Sequence, residues 1–373
     1  MRAAIIGGGF AGNIHAEALS SLGVQIAAVV TTKEDTAESF AKKWNVPVWG
    51  TDPALAFADG IDAVHICTPP TSHGHYVLEA LKAGKHVFCE KPLSFDQDEA
   101  EKLAAVSETG GRICALTYNV RYHMAVQKAR ELIRSGRFGR PLLIHGSYLQ
   151  EFHALPAPYD WRYDPSLSGS MRAVTEIGSH WIDTAQYVSG RNVTDVSASF
   201  GRFFPERVVR NGMMEAADGE RETGTGDVLH VASEDAACVT FRYEDGAIGN
   251  VCLSEISPGR GNYLSIEITC EKGNLWWNEE DNNVLHTAKK GDGVRSDIFA
   301  FGNGFSDTFA SLMRNFYRAV LQASDRAASA SDQVSAQAGE PAEYPTFREG
   351  ARIVRICEAI RRSAERDAAW IHV

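Results

Sequence analysis

Several things are scarce in this 373-residue chain, and each scarcity excludes something. No apolar run approaches the roughly 18 residues that a membrane-spanning helix needs. Basic residues are outnumbered, 37 Lys and Arg against 48 Asp and Glu, and the formal net charge of -11 disfavours nucleic-acid phosphates and anionic membranes as partners. The seven cysteines, Cys67, Cys89, Cys114, Cys238, Cys252, Cys270 and Cys357, include no CxxC pair and no His/Cys cluster at zinc spacing. They sit mostly inside apolar runs and are expected to be small buried residues in a reducing compartment. No leader is expected either: MRAAIIGGG reads as a strand beginning within a few residues, and a cytoplasmic location is expected.

What is present is ordinary for a globular protein, 44% hydrophobic and 23% charged. The length exceeds one typical core, and two domains are expected, at 1–121 and 122–373.

Residues 3–6 are apolar and lead into Gly7-Gly8-Gly9-Phe10-Ala11-Gly12, followed by a helix to about Leu22 and a strand from Val24 to Val30. This is a GxGxxG in strand-turn-helix context. Gly7 permits the tight turn, Gly9 lets the backbone approach a pyrophosphate, and Gly12 lets helix and strand pack closely. Phe10 and Ala11 open the helix whose N-terminus would take the phosphate. The second strand ends Val30-Thr31-Thr32-Lys33, with no carboxylate at the position that reads a ribose. Thr31, Thr32 and Lys33 suit the 2′-phosphate of NADP, whereas Glu34 or Asp35 reaching back suits NAD; the balance tips slightly to NADP.

The stretch AVHICTPPTSHGHYVLEALKAGKHVFCEKP, Ala63 to Pro92, reads as strand, helix, strand, a parallel βαβ unit with its helix from about Thr71 to Ala83. Ligands in such units lie beyond the strand C-termini, where Thr68-Pro69-Pro70 and Glu90-Lys91-Pro92 both fall. Lys91 is read as a catalytic group, although a Lys-Pro pair can also simply end a strand. A helix at about Asp96 to Glu108 and a strand at Arg112 to Tyr118 complete a doubly wound parallel sheet.

After a helix from about Tyr122 to Ser135 the grammar changes. Strand-like runs at Pro141 to Gln150, Val193 to Phe203, Val228 to Ala232, Ala236 to Tyr243, Ala247 to Ile256, Tyr263 to Cys270 and Asn274 to Glu279 predict a largely antiparallel sheet. Helices near Phe305 to Ala323 and Thr346 to Glu365 follow. Residues 204–227 and Asp325 to Ala342 read as loops without core contacts.

The run Val174-Thr175-Glu176-Ile177-Gly178-Ser179-His180-Trp181-Ile182-Asp183 reads as part of a helix ending near Gly190, with Glu176, His180 and Asp183 on one face. A carboxylate beside an imidazole can orient the ring and raise its basicity, as a general base near neutral pH requires; a surface Glu-His pair is the plainer alternative. A metal site would need further ligands such as His123 and His153, whose spacing is not diagnostic, and no metal is expected. The loop Asp160-Trp161-Arg162-Tyr163-Asp164 carries ligand contacts or caps a core, and Asn119 and Arg121 face the same choice.

With Thr68, Pro69, His73 and AGKHVFCEKP in one segment, and YLQEF, DWRYD and TEIGSHWID in later ones, the chain resembles the Gfo/Idh/MocA oxidoreductases from its GGGFAG to its closing helix. Their levoglucosan and related sugar dehydrogenase branch is the nearest likeness. The resemblance implies an N-terminal Rossmann domain and a C-terminal α+β domain with an open sheet. It also implies an NAD(P)-dependent dehydrogenase acting on a sugar, glycoside or cyclitol hydroxyl, and a homodimer or homotetramer formed through that sheet. By residue, it implies that Lys91 contacts substrate and nicotinamide, that His180 is the catalytic histidine, and that Glu176 stands where the family commonly has aspartate. Thr68, Pro69, His73, Glu90, Asn119, Trp161 and Arg162 are implied for the cofactor, and Arg121, Tyr148, Arg162 and Asp183 for the substrate. Two other activities remain open on this fold: NAD-dependent glycoside cleavage through transient oxidation, and non-catalytic sugar sensing.

Overall fold

In the first strand, β1 (Arg2–Ile6), the four residues after Arg2 are all buried, the signature of a strand covered on both faces. The computed structural model describes residues 1–159, 161–216, 227–329 and 342–373. Around β1 forms a six-stranded parallel sheet. Its members are β2 (Gln25–Val30), β3 (Val48–Gly50), β4 (Ala63–Ile66), β5 (His86–Cys89) and β6 (Cys114–Leu116), in the order β3-β2-β1-β4-β5-β6. The order reverses between β1 and β4, which makes their C-terminal ends the switch point of a doubly wound sheet. Helices α1 (Phe10–Ser21), α2 (Glu34–Trp44), α3 (His73–Lys82) and α4 (Gln97–Thr109) alternate with the strands as expected.

The chain divides into two compact units, Met1–Tyr122 with Gly304–Val354, and His123–Asn303 with Arg355–Val373. Residues 304–354, expected in the second domain, thus count with the first. The helix Phe305–Ser329 explains why: its Phe309, Leu312, Met313, Phe316 and Val320 share one core with Ala3, Ile5, Ala16, Leu19 and Phe88.

The second unit opens with α5 (Met124–Arg134) and β7 (Pro141–Leu149), then β8 (Ala157–Pro158), the short α6 (Pro165–Ser168) and α7 (Ser179–Ser189). Strands β9 (Val193–Gly201), β10 (Glu206–Arg210), β11 (Met213–Ala216), β12 (Asp227–His230), β13 (Ala236–Tyr243) and β14 (Ile248–Ser254) follow. The last are β15 (Tyr263–Cys270), β16 (Gly273–Asn278), β17 (Val284–Lys289), β18 (Val294–Ile298) and β19 (Ile371–His372). Nine of them form one sheet, β18-β17-β16-β15-β7-β14-β13-β9-β19, antiparallel except where β7 meets β14. In it β13 and β14 alternate buried and exposed, as strands covered on one face should.

Several expectations need correction. The segment expected as a loop at 204–227 contains β10 and β11, joined at Asn211-Gly212, both with positive φ (51° and 76°), and paired with β12 and β8 in a small sheet. An Asn-Gly between apolar runs is a hairpin signal, and it outweighs the polar composition. β17 and β18 were not anticipated, and the helix at 305 runs on to Ser329. Cys238 and Cys252 are exposed rather than buried, because β13 and β14 turn alternate residues outward. Residues 217–226 and 330–341 of the two expected loops, and Asp160, lie outside the described residues.

Candidate active site

The glycine turn is built by collision avoidance. Gly7 has φ 108°, and a Cβ there would strike the Cys67 carbonyl; a Cβ on Gly12 would strike the Gly7 carbonyl. Gly9, by contrast, has nothing within 4 Å of where a Cβ would stand, and it caps α1, whose first turn carries no acidic residue. A helix N-terminus open to solvent and free of carboxylates suits a pyrophosphate, so these residues fit a dinucleotide. Phe10 is largely exposed at its rim. Asn13, not picked out from the sequence, braces the turn: its amide donates to the Gly9 carbonyl at 2.9 Å, while its Oδ1 accepts from Trp44 Nε1 at 3.0 Å.

At the end of β2 the Thr31 hydroxyl donates to the Lys33 carbonyl at 2.7 Å, shaping the entry to α2. Thr32 and Lys33 are exposed, and Glu34 accepts from Thr51 at 3.3 Å.

At the ends of β4 and β5, the Thr68 hydroxyl accepts from Ser72 at 2.7 Å. His73 is fully buried, with Nδ1 2.8 Å from the Pro92 carbonyl and Nε2 2.9 Å from the Thr68 carbonyl. Its ring therefore ties the Thr68-Pro69 turn to the segment carrying Lys91. Burial lowers its pKa, with the two carbonyls and Glu90 opposing that shift. Lys91 is partly exposed and precedes a cis peptide bond, and its amide donates to Glu90 Oε2 at 3.2 Å. Burial would raise the Glu90 pKa, but the hydrogen bond from His15 and the nearby charge of Lys91 hold it below the usual carboxylate range. Asn119 donates to Thr308 at 3.0 Å and Arg121 to Glu349 at 2.9 Å, both from buried positions within the first unit.

In the second unit the run before α7 is a π-helical turn, Val174–Gly178, a form often found at functional sites. From Met171 to Ala185 every residue is buried except Glu176 and His180. Of the three groups that the spacing placed on one face, this segment presents Glu176 and His180. Asp183 is buried. Glu176 accepts from Arg162 Nε at 3.1 Å, and the Arg162 guanidinium lies 4.7 Å from the centre of the Trp161 ring. Tyr148 is buried with its hydroxyl on Asn262 at 2.8 Å, and burial raises its pKa well above the usual value.

The start of this segment is anchored by ions that the sequence reading missed. Glu234 accepts from the backbone amides of Arg172 (3.0 Å) and Val174 (2.9 Å), and the Arg172 guanidinium bonds Glu255 at 2.6 Å and Asp235 at 2.5 Å. Burial pushes the Glu255 carboxyl up to about 7 in spite of Arg172. Glu234-Asp235 and Glu255 flank strands far along the chain, and nothing local marks them. His153 meets the Tyr163 hydroxyl, and burial, then Arg172, Arg207 and Arg162, lower its pKa to about 3; His123 Nδ1 donates to the Asn303 carbonyl at 3.1 Å. Among the described residues no group of three or more His, Cys, Asp or Glu is arranged to hold a metal.

A doubly wound sheet with a GxGxxG turn at its switch point defines a dinucleotide-binding protein, and a presented lysine and histidine suit a dehydrogenase. The comparisons agree. Residues 1–118 match the oxidoreductase family, NAD-binding Rossmann fold, and residues 126–276 match the GFO/IDH/MocA C-terminal domain. The chain belongs to the Gfo/Idh/MocA oxidoreductases and has their NAD-binding domain. It is 28% identical to levoglucosan dehydrogenase of Pseudarthrobacter phenanthrenivorans, over 99% of this chain and 97% of that one. It is 27% identical to myo-inositol 2-dehydrogenase of Thermotoga maritima, over 89% and 92%. A solved structure of levoglucosan dehydrogenase in complex with NADH and L-sorbose superposes with a TM-score of 0.87 at 26% identity, covering 100% of this chain and 98% of that one.

Proposed function

We propose that this enzyme oxidises a secondary hydroxyl of a sugar, glycoside or cyclitol, with Lys91 and His180 as its catalytic pair. The observation that carries the reading is that, between Met171 and Ala185, only Glu176 and His180 are not buried. When bound, the nicotinamide exchanges a hydride with the substrate carbon. His180 takes the hydroxyl proton; its Nδ1 is buried, which leaves Nε2 as the atom to receive it. Lys91 Nζ donates a hydrogen bond to the oxygen as negative charge develops there. Glu176 holds Arg162, and the two together orient the substrate's neighbouring hydroxyls.

Gly7, Gly9, Phe10, Ala11 and Gly12 hold the pyrophosphate, and Thr68 and Pro69 line the approach to the nicotinamide half. Exposed Thr32 and Lys33, with Glu34 drawn to Thr51, favour the 2′-phosphate of NADP. Seven free thiols support a reducing, cytoplasmic location.

Purified protein incubated with NAD+ or NADP+ and a panel of levoglucosan, myo-inositol, aldoses and methyl glycosides should raise nicotinamide absorbance with at least one of them. Lys91→Ala and His180→Ala should each lower kcat by roughly 10²- to 10⁴-fold with cofactor affinity nearly intact. Wild-type turnover in both variants would sink the assignment.

We further propose a homodimer or homotetramer formed through the outward face of the nine-stranded sheet, where Cys238, Thr240, Asn250 and Cys252 form an exposed uncharged patch bordered by Arg242 and Ile248. Light scattering should give a multiple of the 40.7 kDa chain mass, and Thr240→Glu with Asn250→Glu should reduce it to one chain. A monomeric wild type sinks this reading.

A further inference from the structure

Two histidines that the mechanism does not use lie fully buried in the first unit, His15 on α1 and His65 in the middle of β4. All four of their ring nitrogens have partners. His15 Nε2 stands 3.0 Å from Glu90 Oε1, His15 Nδ1 stands 3.0 Å from His65 Nδ1, and His65 Nε2 stands 2.7 Å from the Tyr317 hydroxyl. Phe88 stacks on the His65 ring at 5.1 Å and meets His15 edge-on at 5.3 Å, and Phe309 and Phe316 close the surroundings.

The chemistry of these atoms fixes a direction. Burial lowers the His65 pKa well below its ordinary value, so His65 is neutral and carries one N–H. The Tyr317 hydroxyl is buried, and burial, then Asp62, raises its pKa well above the usual value, so it keeps its proton and donates it to His65 Nε2. His65 must then carry its hydrogen on Nδ1 and donate to His15 Nδ1. His15, accepting there, carries its hydrogen on Nε2 and donates to the Glu90 carboxylate. Every donor and acceptor is used once, in the order Tyr317, His65, His15, Glu90, and the last member accepts the Lys91 amide. A fully satisfied buried chain of this kind has one low-energy arrangement and is rigid.

We propose that His15 and His65 are positioning residues for the reaction: with Tyr317 they form a directional hydrogen-bond chain that locks the Glu90 carboxylate and, through it, the lysine at position 91. This rests on the reading of Lys91 as a catalytic group. Glu90 has two tasks, to bond the Lys91 amide and to place a negative charge beside the lysine side chain. Without the His15 donor its carboxylate can rotate away from both. Misplacement of a reacting group by an ångström costs about 10²-fold in rate, which sets the scale of the effect.

The test uses the full chain, with whichever panel compound the wild type oxidises fastest. His15→Leu should lower kcat about 10- to 100-fold while the KM for the cofactor stays within about 2-fold. His15→Gln, whose Oε1 accepts and whose Nε2 donates, should recover kcat to within about 3-fold of wild type. In a Lys91→Ala background His15→Leu should lower kcat no further. Wild-type kcat in His15→Leu overturns the chain, as does an equal loss in His15→Leu and His15→Gln, which marks a packing role only. A wild-type kcat in Lys91→Ala overturns the proposed function instead, so the two failures are told apart. Should His15→Leu not fold, imidazole ¹⁵N spectra of the wild type decide: His65 is expected as the Nδ1–H tautomer, and finding it as Nε2–H overturns the proposal.

Discussion

Glu176 is longer than aspartate by one methylene, and that length carries its carboxylate to Arg162 Nε at 3.1 Å. Glu176→Asp should therefore loosen Arg162, lowering kcat/KM by ~10-fold, the scale of one charge-assisted hydrogen bond, and Arg162→Ala should add little on top of it. Steady-state kinetics of the two single variants and the double variant measure this. At this scale the sequence was informative where a residue belongs to a local pattern. Gly7 and Gly12 stand where their spacing put them, and Glu176 and His180 are the residues their segment presents. It was silent on partners: that His73 faces two backbone carbonyls, or that His15 meets His65, depends on atoms 19 and 50 residues away.

Elements were legible in proportion to their periodicity. β13 and β15 have the bounds their apolar patterns predict, because alternation and turn residues are local signals. β18, with no buried residue, gives no such pattern and is held by pairing with β17. The edge of the parallel sheet depends on a side chain instead. The Ile113 amide, just before β6, donates to His86 Nδ1 on β5 at 2.9 Å, and that bond requires a neutral ring. Burial, then Arg112, lowers the His86 pKa to about 4. A depressed folded-state pKa means that the unfolded chain binds the proton more readily, so the stabilisation is complete above about pH 6.5 and is lost as pH falls towards 4. Its size is about 2 kcal/mol after allowance for solvent screening. In His86→Asn, where an amide oxygen can accept the same bond without titrating, urea unfolding should show a correspondingly smaller loss between pH 6.5 and 4.

At the scale of the whole molecule, each unit is held by its own core, and the second also by a buried ionic cluster. Arg172, Arg207, Asp235 and Glu255 are each about 1% exposed, and Arg172 is the hub that neutralises two carboxylates. Arg172→Met would leave Glu255 without its guanidinium and Asp235 with Arg207 as its remaining cation, and it should cost about 3–5 kcal/mol of stability in chemical denaturation. Because Arg172 lies two residues ahead of the π-helical turn, the same variant should also lose activity in the fraction that remains folded. An Arg172→Met protein as stable as the wild type would show that the cluster is dispensable.

The sequence by itself determined the strand-helix alternation of the first unit, the glycine turn that fits a dinucleotide, and the Lys91 and His180 segments. Each of these is written in contiguous residues through steric or periodic rules. Only the tertiary structure decided that 304–354 completes the first unit and that Glu90 is held by His15, His65 and Tyr317. Those outcomes depend on which distant side chains share a buried space. Hydrogen-bond satisfaction in that space is a property of the folded chain, with no counterpart in residue spacing.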